Sequence, residues 1–333
     1  MKNRLEIYRD LFERELKAYL DHETSLKDGV TPGSMHSLFD PVKYIMSNGG
    51  KRIRPMLLLL SCEAFGGKTE DAVNAAIAVE ILHNFTLVHD DIMDNASTRR
   101  GRDTIHKKWD VNTAILVGDE LIGLSYRSLL KSNTARLAAV IKTFTDGVIE
   151  VCEGQALDKE FEAGSDVNIN DYFIMIRKKT AELLKTSATI GAIIGGADEN
   201  GIEAIKSYAE NIGLAFQIQD DLLDVIGNES KFGKKIGGDI LERKKTYLYL
   251  KAVEVLNNNE REKFRKLFNS DEDAESRINN IIKIYSDNCT VESAKTEIRN
   301  FTDKANKAIS RMGINENVNL FSEFSSMLLN RKY

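Results

Sequence analysis

The sequence predicts an all-α fold, and three observations lead to that prediction. Proline occurs only as Pro32, Pro41 and Pro55, so nothing after residue 55 removes a backbone donor from a helix. Short β-branched runs bounded by tight turns, which are typical of strands, are scarce. Apolar residues recur instead at helical spacing in one segment after another. Because no shift in composition marks a boundary, residues 1–333 are expected to form a single domain of ten or more helices.

The predicted helices begin with residues 5–20, an amphipathic and charged segment that lacks the apolar core of a signal peptide. The tail from residue 260 to residue 330 is more polar and carries amphipathic pieces such as SRINNIIKIYS. The helices between them cover about 71–94, 111–131, 135–161, 171–195, 201–226 and 241–256. Loops are predicted at KDGVTPGS, FGGKTE, NASTRRGRDT, AGSDVNIN, GGADENG and GNESKFGKKIGGD.

Charge and cysteine content exclude several classes of protein. The net charge of −5 argues against a nucleic-acid binder, whose affinity comes mostly from basic side chains on phosphates. Cys62, Cys152 and Cys289 are too few and too scattered for a disulfide framework or a zinc site, so a reducing, cytoplasmic setting is expected. Charged residues interrupt the apolar stretches before they reach membrane-spanning length, so no stable membrane insertion is expected.

Two of the predicted helices are apolar nearly all round. AVNAAIAVEILHNFTLVHDDIMD has no continuous polar stripe, and IGLAFQIQDDLLDVIG has the same character. Each should therefore be enclosed by other helices. Each also carries the pattern Asp-Asp-x-x-Asp near its C-terminal end. The six aspartates are Asp90, Asp91 and Asp94 in the first helix and Asp220, Asp221 and Asp224 in the second.

The spacing of these aspartates predicts sites for divalent metal. Residues four apart lie on one face of a helix, so Asp90 and Asp94 present their carboxylates side by side. Acidic groups at a helix C-terminus oppose the macrodipole, and clustered carboxylates repel one another unless a cation neutralises them. Mg²⁺ suits such a pair, because it takes one or two carboxylates and completes its shell with water and substrate phosphate. The alternative is a solvated acidic helix face, which fits poorly with two such motifs on apolar helices; the spacing excludes an EF-hand.

Basic residues flank both acidic motifs. GGKRIRP places Lys51 and Arg54 three apart, behind two glycines that let a backbone approach a ligand closely. Each basic residue taken alone is more readily a surface residue than a ligand, but their common placement indicates anionic groups that arrive together with metal. We therefore expect two diphosphates, one bound through metal and one bound directly. The other basic candidates are Arg99, Arg100, Lys179, Lys234, Lys235, Lys244 and Lys245.

Six motifs, in order, resemble those of the trans-isoprenyl diphosphate synthases, also called polyprenyl synthetases. GGKRIRP is similar to the family's isopentenyl diphosphate segment, and DDIMDNASTRRG to its first aspartate-rich motif, DDxxDxxxxRRG. EGQALD resembles the GQxxD element, KKTAEL the KT element, and FQIQDDLLD the second aspartate-rich motif. GKKIGGDILERKKT resembles GKxxGxD followed by GKxT. The likeness extends from about Gly49 to Thr246 and implies the isoprenoid synthase fold, a helical bundle around a central cavity, in a homodimer.

The resemblance implies a role for each matching residue. Two Mg²⁺ ions would be bridged by Asp90 and Asp94 and a third held by Asp220, with Mn²⁺ able to substitute and with Asp91, Asp221 and Asp224 in support. The allylic diphosphate would be contacted by Arg99, Lys179, Lys234 and Lys244. Isopentenyl diphosphate would be held by Lys51, Arg54, His83 and Arg100. The allylic carbocation would be faced by Thr180 and Gln217, above a polar floor supported by Gln155 and Asp158.

The chain departs from the family pattern at Arg243, where the family usually has glycine before the second lysine. This departure puts the backbone path at Lys244 in question. The choice between Lys244 and Lys245 therefore stays open, and Lys235 stays an alternative to Lys234.

The implied activity is the condensation of isopentenyl diphosphate with a dimethylallyl, geranyl or farnesyl diphosphate into a short-chain all-trans product. Its main requirement is to stabilise negative charge on the leaving group, so no activated nucleophile is needed. His89 and His106 are accordingly interpreted as hydrogen-bonding structural residues.

Two alternative functions fit the sequence less well. A class I terpene cyclase would normally carry an Asn/Asp-x-x-Ser/Thr-x-x-x-Glu motif and lack a second diphosphate site, whereas this chain has Asp-Asp-x-x-Asp twice together with GGKRIRP. A non-catalytic synthase subunit typically loses motif aspartates, and all six are present here.

Product length is expected to depend on Phe85. At about 1.5 Å rise per residue, the fifth residue before Asp90 lies about 7–8 Å further along the helix. That residue is Phe85, which can form the floor of the cavity for the growing chain, while the small Thr86 beside it leaves some room. We therefore favour geranylgeranyl diphosphate (C20) over farnesyl diphosphate (C15). The alternative is that Phe85 merely packs in the core.

Overall fold

The computed structural model describes residues 3–25, 36–164, 167–227, 236–271, 273–312 and 318–329. Helices form nearly all of the regular structure in these ranges, which confirms the all-α prediction. The strands found there are two residues long, β1 (Thr98–Arg99) and β2 (Arg102–Asp103), and they pair in the predicted loop NASTRRGRDT. The helices are α1 (Arg4–Ser25), α2 (His36–Met46), α3 (Ile53–Ala64), α4 (Thr69–Met93), α5 (Ile105–Lys108), α6 (Val111–Leu129), α7 (Leu137–Ala163), α8 (Ile169–Ile176), α9 (Glu182–Gly195), α10 (Glu199–Ile226), α11 (Gly238–Leu241), α12 (Tyr247–Val255), α13 (Asn258–Phe268), α14 (Ala274–Asp287), α15 (Thr290–Ile309) and α16 (Val318–Leu329).

The described chain divides into two compact units. The first unit comprises residues 1–148 and 186–202, and the second unit comprises residues 149–185 and 203–333. Each has its own buried core. The single domain expected from composition stays a prediction.

The first unit is built around α4, which packs against α3 and α6. Nearly every residue from Ala75 to Phe85 is buried, as expected for a helix without a polar stripe. Among the described residues, α4 alone is long and apolar enough to cross a membrane by length and composition. Because 72% of that stretch is buried inside the protein, α4 has the surroundings of a core helix.

The core of the second unit joins α8 and α10 to helices α12–α15. On α10, Leu214, Ile218 and Leu222 are buried at intervals of four residues and form the face that packs into this core. Asp220 and Asp224 each lie two residues after a member of this set, on the other side of the helix, and are half-buried. The packing of the buried face therefore fixes the direction in which Asp220 and Asp224 point.

The helix predicted over 171–195 is interrupted in the structure. It begins at Ile169, where Asn168 and Asp171 form a capping box that satisfies the first backbone N–H groups. After Ile176 the backbone widens into a single π-helical turn, Arg177–Ala181, before α9 continues. A π-turn places an extra residue in one turn of a helix, and hydrophobic periodicity does not report such a local change.

The helix predicted over 241–256 also begins late, because α11 ends in a left-handed turn. Arg243 has a φ of 57°, and the N–H groups of Arg243 and Lys244 donate to carbonyl oxygens inside α11 at 3.2 and 2.9 Å, which is a Schellman motif. A side chain in this conformation costs about 1–2 kcal/mol, which explains why glycine is favoured there. The Arg243 side chain forms a solvent-exposed ion pair with Asp271 at 2.6 Å. The backbone path to Lys244 is therefore regular despite the missing glycine.

Candidate active site

The first acidic motif lies at the C-terminal end of α4, in the first unit. Asp94 caps the helix, and its N–H donates to Asp90 O at 2.8 Å. Asp90 is half-buried and Asp94 is exposed, whereas Asp91 is only 2% exposed and points into the protein. Helical spacing brings Asp90 and Asp94 to one face and turns Asp91 away from it.

Asp91 is held by Arg99. The Arg99 Nε and Nη2 atoms both lie 2.8 Å from Asp91 Oδ1. Burial raises the pKa of the Asp91 carboxyl, and the hydrogen bond from Arg99 opposes that rise. Asp91 therefore anchors Arg99 in this structure, and the first motif offers Asp90 and Asp94 as its outward-facing carboxylates.

The hairpin of β1 and β2 positions the two adjacent arginines. Its two central residues, Arg100 and Gly101, have φ values of 52° and 75°, as a type I′ turn requires. The turn separates the arginines: Arg99 contacts Asp91, while Arg100 Nη1 donates to the carbonyl oxygen of Gly49. A Cβ on Gly50 would lie 3.0 Å from Arg100 Nη1, so Gly50 makes room for this arginine.

The segment from Lys51 to Arg54 is anchored by a residue that the sequence analysis missed. Arg52 has a φ of 50°, is 4% exposed, and pairs with Glu80 at 2.7 Å and with Glu13 at 2.8 Å. Lys51 and Arg54, which flank it, are more exposed. A signal was present in the sequence, because Glu80 is a lone carboxylate in the apolar run AAIAVEILHN and needs a buried partner.

Two of the residues predicted to hold isopentenyl diphosphate are in contact. Arg54 Nη1 lies 3.2 Å from His83 Nε2. Burial, and then the positive charge of Arg54, lowers the pKa of His83 well below its usual value, so the imidazole is neutral. Since arginine can only donate, Nε2 accepts and orients the guanidinium. His83 is thus a positioning group within this predicted set.

Four other residues of α4 and α5 were predicted to matter, and the role of Phe85 and Thr86 in product length stays a prediction. Phe85 is 7% exposed, and its ring packs edge-on against His89 with centroids 4.7 Å apart. The Thr86 hydroxyl donates to His83 O at 2.8 Å. His89 lies within hydrogen-bonding distance of Ile115 O, at 3.5 Å. The interpretation of His106 as a hydrogen-bonding residue is wrong, because neither ring nitrogen has a hydrogen-bond partner among the described residues.

The second acidic motif, on α10 in the second unit, repeats the arrangement of the first. Asp221 is buried and accepts hydrogen bonds from Tyr172 Oη at 2.6 Å, Gln217 Nε2 at 2.9 Å and the Tyr247 N–H at 3.1 Å. Burial raises the pKa of Asp221 to about 6, against the effect of these three donors. Asp220 and Asp224 again share the more exposed face. In both motifs, therefore, the middle aspartate is a structural acceptor.

Asp239 joins this acidic cluster, although the sequence analysis did not select it. The Asp239 N–H donates to Asp224 Oδ2 at 3.1 Å. Burial, and then the carboxylates of Asp224 and Asp221, raises the pKa of Asp239 to about 8. Its signal in the sequence was its position as the aspartate of the GKxxGxD-like element, GKKIGGD. A carboxyl whose ionisation is opposed in this way gains stability as an anion when a cation binds beside it.

The π-turn carries two of the predicted site residues. Lys179 pairs with Asp158 on α7, and the Thr180 hydroxyl donates to Gln217 Oε1 at 2.8 Å. Because Gln217 donates in turn to Asp221, a continuous chain of hydrogen bonds leads from the π-turn to the buried aspartate. These groups line one pocket within the second unit. Its walls are Asp158, Phe161, Glu162, Tyr172, Met175, Ile176, Lys179, Thr180, Gln217, Asp221, Asp239, Lys244, Lys245 and Thr246.

The two lysines after Arg243 have different surroundings. Lys245 Nζ donates to the carbonyl oxygens of Phe161 and Gly164 at the C-terminal end of α7, where a cation is favoured by the helix dipole. Lys244 pairs with Glu242 at 2.6 Å on the wall of the pocket. Gln155, one turn before Asp158 on α7, is not among the pocket walls. The predictions for Lys234 and Lys235 lie outside the described residues.

The donor groups of both motifs fit a hard divalent cation. No group of three or more His, Cys, Asp or Glu is arranged to hold a metal within the described ranges. Each motif instead presents two carboxylates on one helix face, Asp90 with Asp94 and Asp220 with Asp224. Mg²⁺ characteristically takes one or two carboxylates and leaves positions for water and phosphate oxygens. The arrangement matches that preference.

Comparisons with known proteins agree with these features. The sequence profile of the family described as Polyprenyl synthetase matches residues 35–285. The chain is 37% identical to the geranylgeranyl diphosphate synthase of Sulfolobus acidocaldarius over 289 residues, which cover 85% of this chain and 88% of that protein. It is 44% identical to the geranylgeranyl diphosphate synthase of Saccharolobus solfataricus over 224 residues, or 66% of this chain and 67% of that protein. A crystal structure of a geranylgeranyl pyrophosphate synthase, 41% identical, superposes with a TM-score of 0.91 over 100% of both chains.

Proposed function

The chain belongs to the polyprenyl synthetase family of trans-prenyltransferases, and from that premise we propose that it condenses isopentenyl diphosphate with an allylic diphosphate to make geranylgeranyl diphosphate. The observation that carries this proposal is the pocket of the second unit, where Lys179, Thr180 and Lys244 meet the acidic cluster of α10. Cationic and acidic groups around one pocket suit an anion that arrives with metal. Farnesyl diphosphate is the less supported product, since the relatives just described are geranylgeranyl diphosphate synthases.

In the proposed reaction the bond between C1 of the allylic substrate and its diphosphate oxygen breaks, and C1 joins the terminal carbon of isopentenyl diphosphate. A proton is then lost from the new chain, and diphosphate leaves. Two Mg²⁺ ions held by Asp90 and Asp94 and a third held by Asp220, with Mn²⁺ able to substitute, would supply Lewis-acid neutralisation of the leaving diphosphate. The protein's own task is to hold the substrates and to face the developing charges with fixed dipoles.

The residues of the second unit suit the allylic substrate. Lys179 and Lys244 carry the positive charges for its diphosphate, and Arg99 of the first unit has the same proposed role. The Thr180 hydroxyl and the Gln217 amide are fixed by their mutual hydrogen bond at 2.8 Å, so their oxygens can stabilise a carbocation without reorganising. The ion pair with Asp158 holds Lys179 in place.

The residues of the first unit suit isopentenyl diphosphate, which is not ionised in the reaction. Lys51, Arg54 and Arg100 supply cationic donors, and neutral His83 orients Arg54 through the contact at 3.2 Å. A planar guanidinium can bind two phosphate oxygens at once. Direct binding without metal is appropriate here, because this diphosphate must stay attached to its carbon.

We further propose a cytoplasmic homodimer. On α6, Val111, Ile115 and Leu116 are 47%, 41% and 59% exposed, and their spacing places them on one side of the helix. An exposed apolar surface of this kind suits contact with a second copy of the chain.

Sedimentation velocity should give twice the monomer mass, and a Leu116→Glu substitution should shift the protein towards monomer.

One incubation tests the activity. The purified protein is supplied with Mg²⁺, isopentenyl diphosphate and labelled dimethylallyl, geranyl or farnesyl diphosphate, and the hydrolysed products are separated by chromatography. A C20 alcohol that disappears when EDTA is added supports the proposal. Cyclic hydrocarbons formed from a single labelled substrate would indicate a terpene cyclase, and no turnover with any primer would indicate a non-catalytic subunit.

Substitution of lysines should separate the two diphosphate sites. Lys51→Ala is expected to raise KM for isopentenyl diphosphate about tenfold or more, because it removes a charge-assisted contact to phosphate. Lys179→Ala should raise KM for the allylic substrate instead. The measurement is steady-state kinetics with each substrate varied in turn. Lys142→Ala, which removes an exposed lysine paired with Asp146 on α7, serves as the control and should leave both KM values within about twofold. A change in the allylic KM alone for Lys51→Ala would reverse the assignment.

Truncation of Phe85 should lengthen the product. The side chain is almost fully buried at the position proposed for the cavity floor, so Phe85→Ala or Phe85→Ser opens space for at least one more isoprene unit with little loss of rate. The products of the variant and the wild type are compared by mass spectrometry. Phe65→Ala, at the C-terminal cap of α3, is the matched control and should leave product length unchanged. An unaltered product from a folded Phe85→Ala enzyme would mean that Phe85 only packs in the core.

A further inference from the structure

The π-turn Arg177–Ala181 is the least expected piece of backbone in the second unit. Single π-turns inside α-helices are rare and are often found at functional sites. This one carries Lys179 and Thr180, two residues that the proposed function assigns to the allylic substrate. Something in the surrounding structure must hold the turn in this form.

Two glycines lie directly against the backbone of the π-turn. A Cβ added to Gly154 on α7 would lie 2.3 Å from Lys179 N and 2.7 Å from Lys178 C. A Cβ added to Gly213 on α10 would lie 2.7 Å from both Cα and Cβ of Ala181. Real Cβ atoms essentially never approach so closely, and backbone atoms cannot rotate out of the way as a flexible side chain can. The π-turn is therefore packed between α7 and α10 at two positions that have room only for glycine.

Each glycine also precedes a hydrogen-bonding partner of the turn by four residues. Gly154 precedes Asp158, which pairs with Lys179, and Gly213 precedes Gln217, which accepts from Thr180 at 2.8 Å. Residues four apart share one face of a helix. One face of α7 therefore places the backbone of Gly154 against the π-turn and the side chain of Asp158 beside Lys179. One face of α10 likewise places Gly213 against the π-turn and Gln217 beside Thr180. The sequence carries the two elements as GQALD and GLAFQ.

We propose that Gly154 and Gly213 are positioning residues that clamp the π-turn and so set the direction in which Lys179 and Thr180 point. The clamp fixes the main chain of the turn, and the pairs with Asp158 and Gln217 fix the two side chains. This proposal rests on the proposed function, because it concerns the residues that bind the allylic substrate. It gives the glycine of the GQxxD-like element a role of its own beside Gln155 and Asp158.

The test substitutes alanine at four glycines inside helices, whose Cβ atoms would meet different neighbours. Gly154→Ala and Gly213→Ala press on the π-turn. Gly147→Ala, two turns before Gly154 on α7, presses on the side chain of Thr186, where a Cβ would lie 2.3 Å from Oγ1. Gly123→Ala on α6 meets nothing within 4 Å. The readouts are Tm, kcat, KM for each substrate, and amide hydrogen exchange of the peptide that contains 177–181.

Gly154→Ala and Gly213→Ala should each lower kcat/KM for the allylic substrate about 100-fold, as expected for a displacement of about 1 Å at a reacting site. Their KM for isopentenyl diphosphate should change less than twofold, and exchange in the π-turn peptide should become faster. Gly147→Ala should lower Tm and leave kcat/KM for the allylic substrate, KM for isopentenyl diphosphate and exchange in the π-turn peptide at wild-type values. Gly123→Ala should leave the kinetics unchanged and keep or raise Tm, because alanine stabilises an open position inside a helix by about 0.5–1 kcal/mol relative to glycine.

Two results would overturn the clamp while the wild type remains an active prenyltransferase. One is wild-type kinetics and exchange in Gly154→Ala and Gly213→Ala. The other is a loss of activity in these variants that only follows Tm, to the same degree as in Gly147→Ala. An inactive wild type would instead refute the proposed function, and the exchange measurement would still decide whether the glycines hold the turn.

Discussion

Replacing Asp90 or Asp220 by alanine is expected to lower kcat several hundred-fold or more and to leave the fold intact. Each carboxylate lies on the more exposed face of its helix, and each is proposed to hold metal at the leaving diphosphate. Loss of that charge stabilisation is worth several kcal/mol in the transition state, and about 1.4 kcal/mol corresponds to a factor of ten in rate. The measurements are initial rates with Mg²⁺ and with EDTA, together with thermal unfolding.

The stability of these variants distinguishes a metal ligand from a structural acid. An aspartate at a helix C-terminus opposes the helix dipole, so Asp90→Ala should keep or slightly raise Tm. Asp221→Ala is the contrasting variant, because it leaves the hydroxyl of Tyr172, the amide of Gln217 and the N–H of Tyr247 without their acceptor. It should lower Tm clearly. Full activity of Asp90→Ala or Asp220→Ala in EDTA would end the metal assignment.

The largest effect on stability is expected from Arg52. Its guanidinium and the carboxylate of Glu80 are 3% and 4% exposed and 2.7 Å apart, so either group alone would be a buried and uncompensated charge. Arg52→Met should therefore lower the free energy of unfolding by about 3–5 kcal/mol. Urea denaturation followed by circular dichroism provides the measurement. The double variant Arg52→Met, Glu80→Met should recover much of the loss, since a packed apolar pair can replace a buried ion pair.

A surface pair provides the control for Arg52. Lys142 and Asp146 form an ion pair at 2.6 Å on α7, but their side chains are 77% and 56% exposed. Lys142→Met should change the free energy of unfolding by no more than about 0.5 kcal/mol. Equal effects of Arg52→Met and Lys142→Met would show that burial does not make the Arg52 pair important.

Arg52 also shows that a short motif does not reveal which of its basic residues pairs inside the protein. In the stretch GGKRIRP, basic residues next to glycines indicate an anion site, and Lys51 and Arg54 are the candidates. The arginine between them is instead bound to Glu80, 28 residues away, and to Glu13, 39 residues away, and it takes a left-handed conformation. Nothing within seven residues distinguishes the three cations. Glu80 on α4 distinguishes Arg52 from Lys51 and Arg54, because it is the buried partner of Arg52.

The π-turn is a feature of secondary structure that the sequence did not predict. Apolar periodicity correctly indicated a helix through most of 171–195, but it cannot report an extra residue in one turn. That residue is accommodated because Gly154 and Gly213 on two other helices leave room for the widened backbone. Likewise, Lys244 and Lys245 could not be distinguished by sequence. The end of α7, which binds Lys245 through two carbonyl oxygens, is 81 and 84 residues away along the chain.

The sequence by itself determined the properties that depend on one helix. The absence of proline and the apolar spacing determined the all-α class, and a separation of four residues placed Asp90 beside Asp94 and Asp220 beside Asp224. Helical spacing is a local property of the backbone, so it is encoded where it is used. The tertiary structure alone decided which aspartates turn inward, that Arg52 is an anchor, and that Lys179 and Thr180 lie on a π-turn. These outcomes depend on which face of a helix is covered and by what, and the covering residues come from distant parts of the chain.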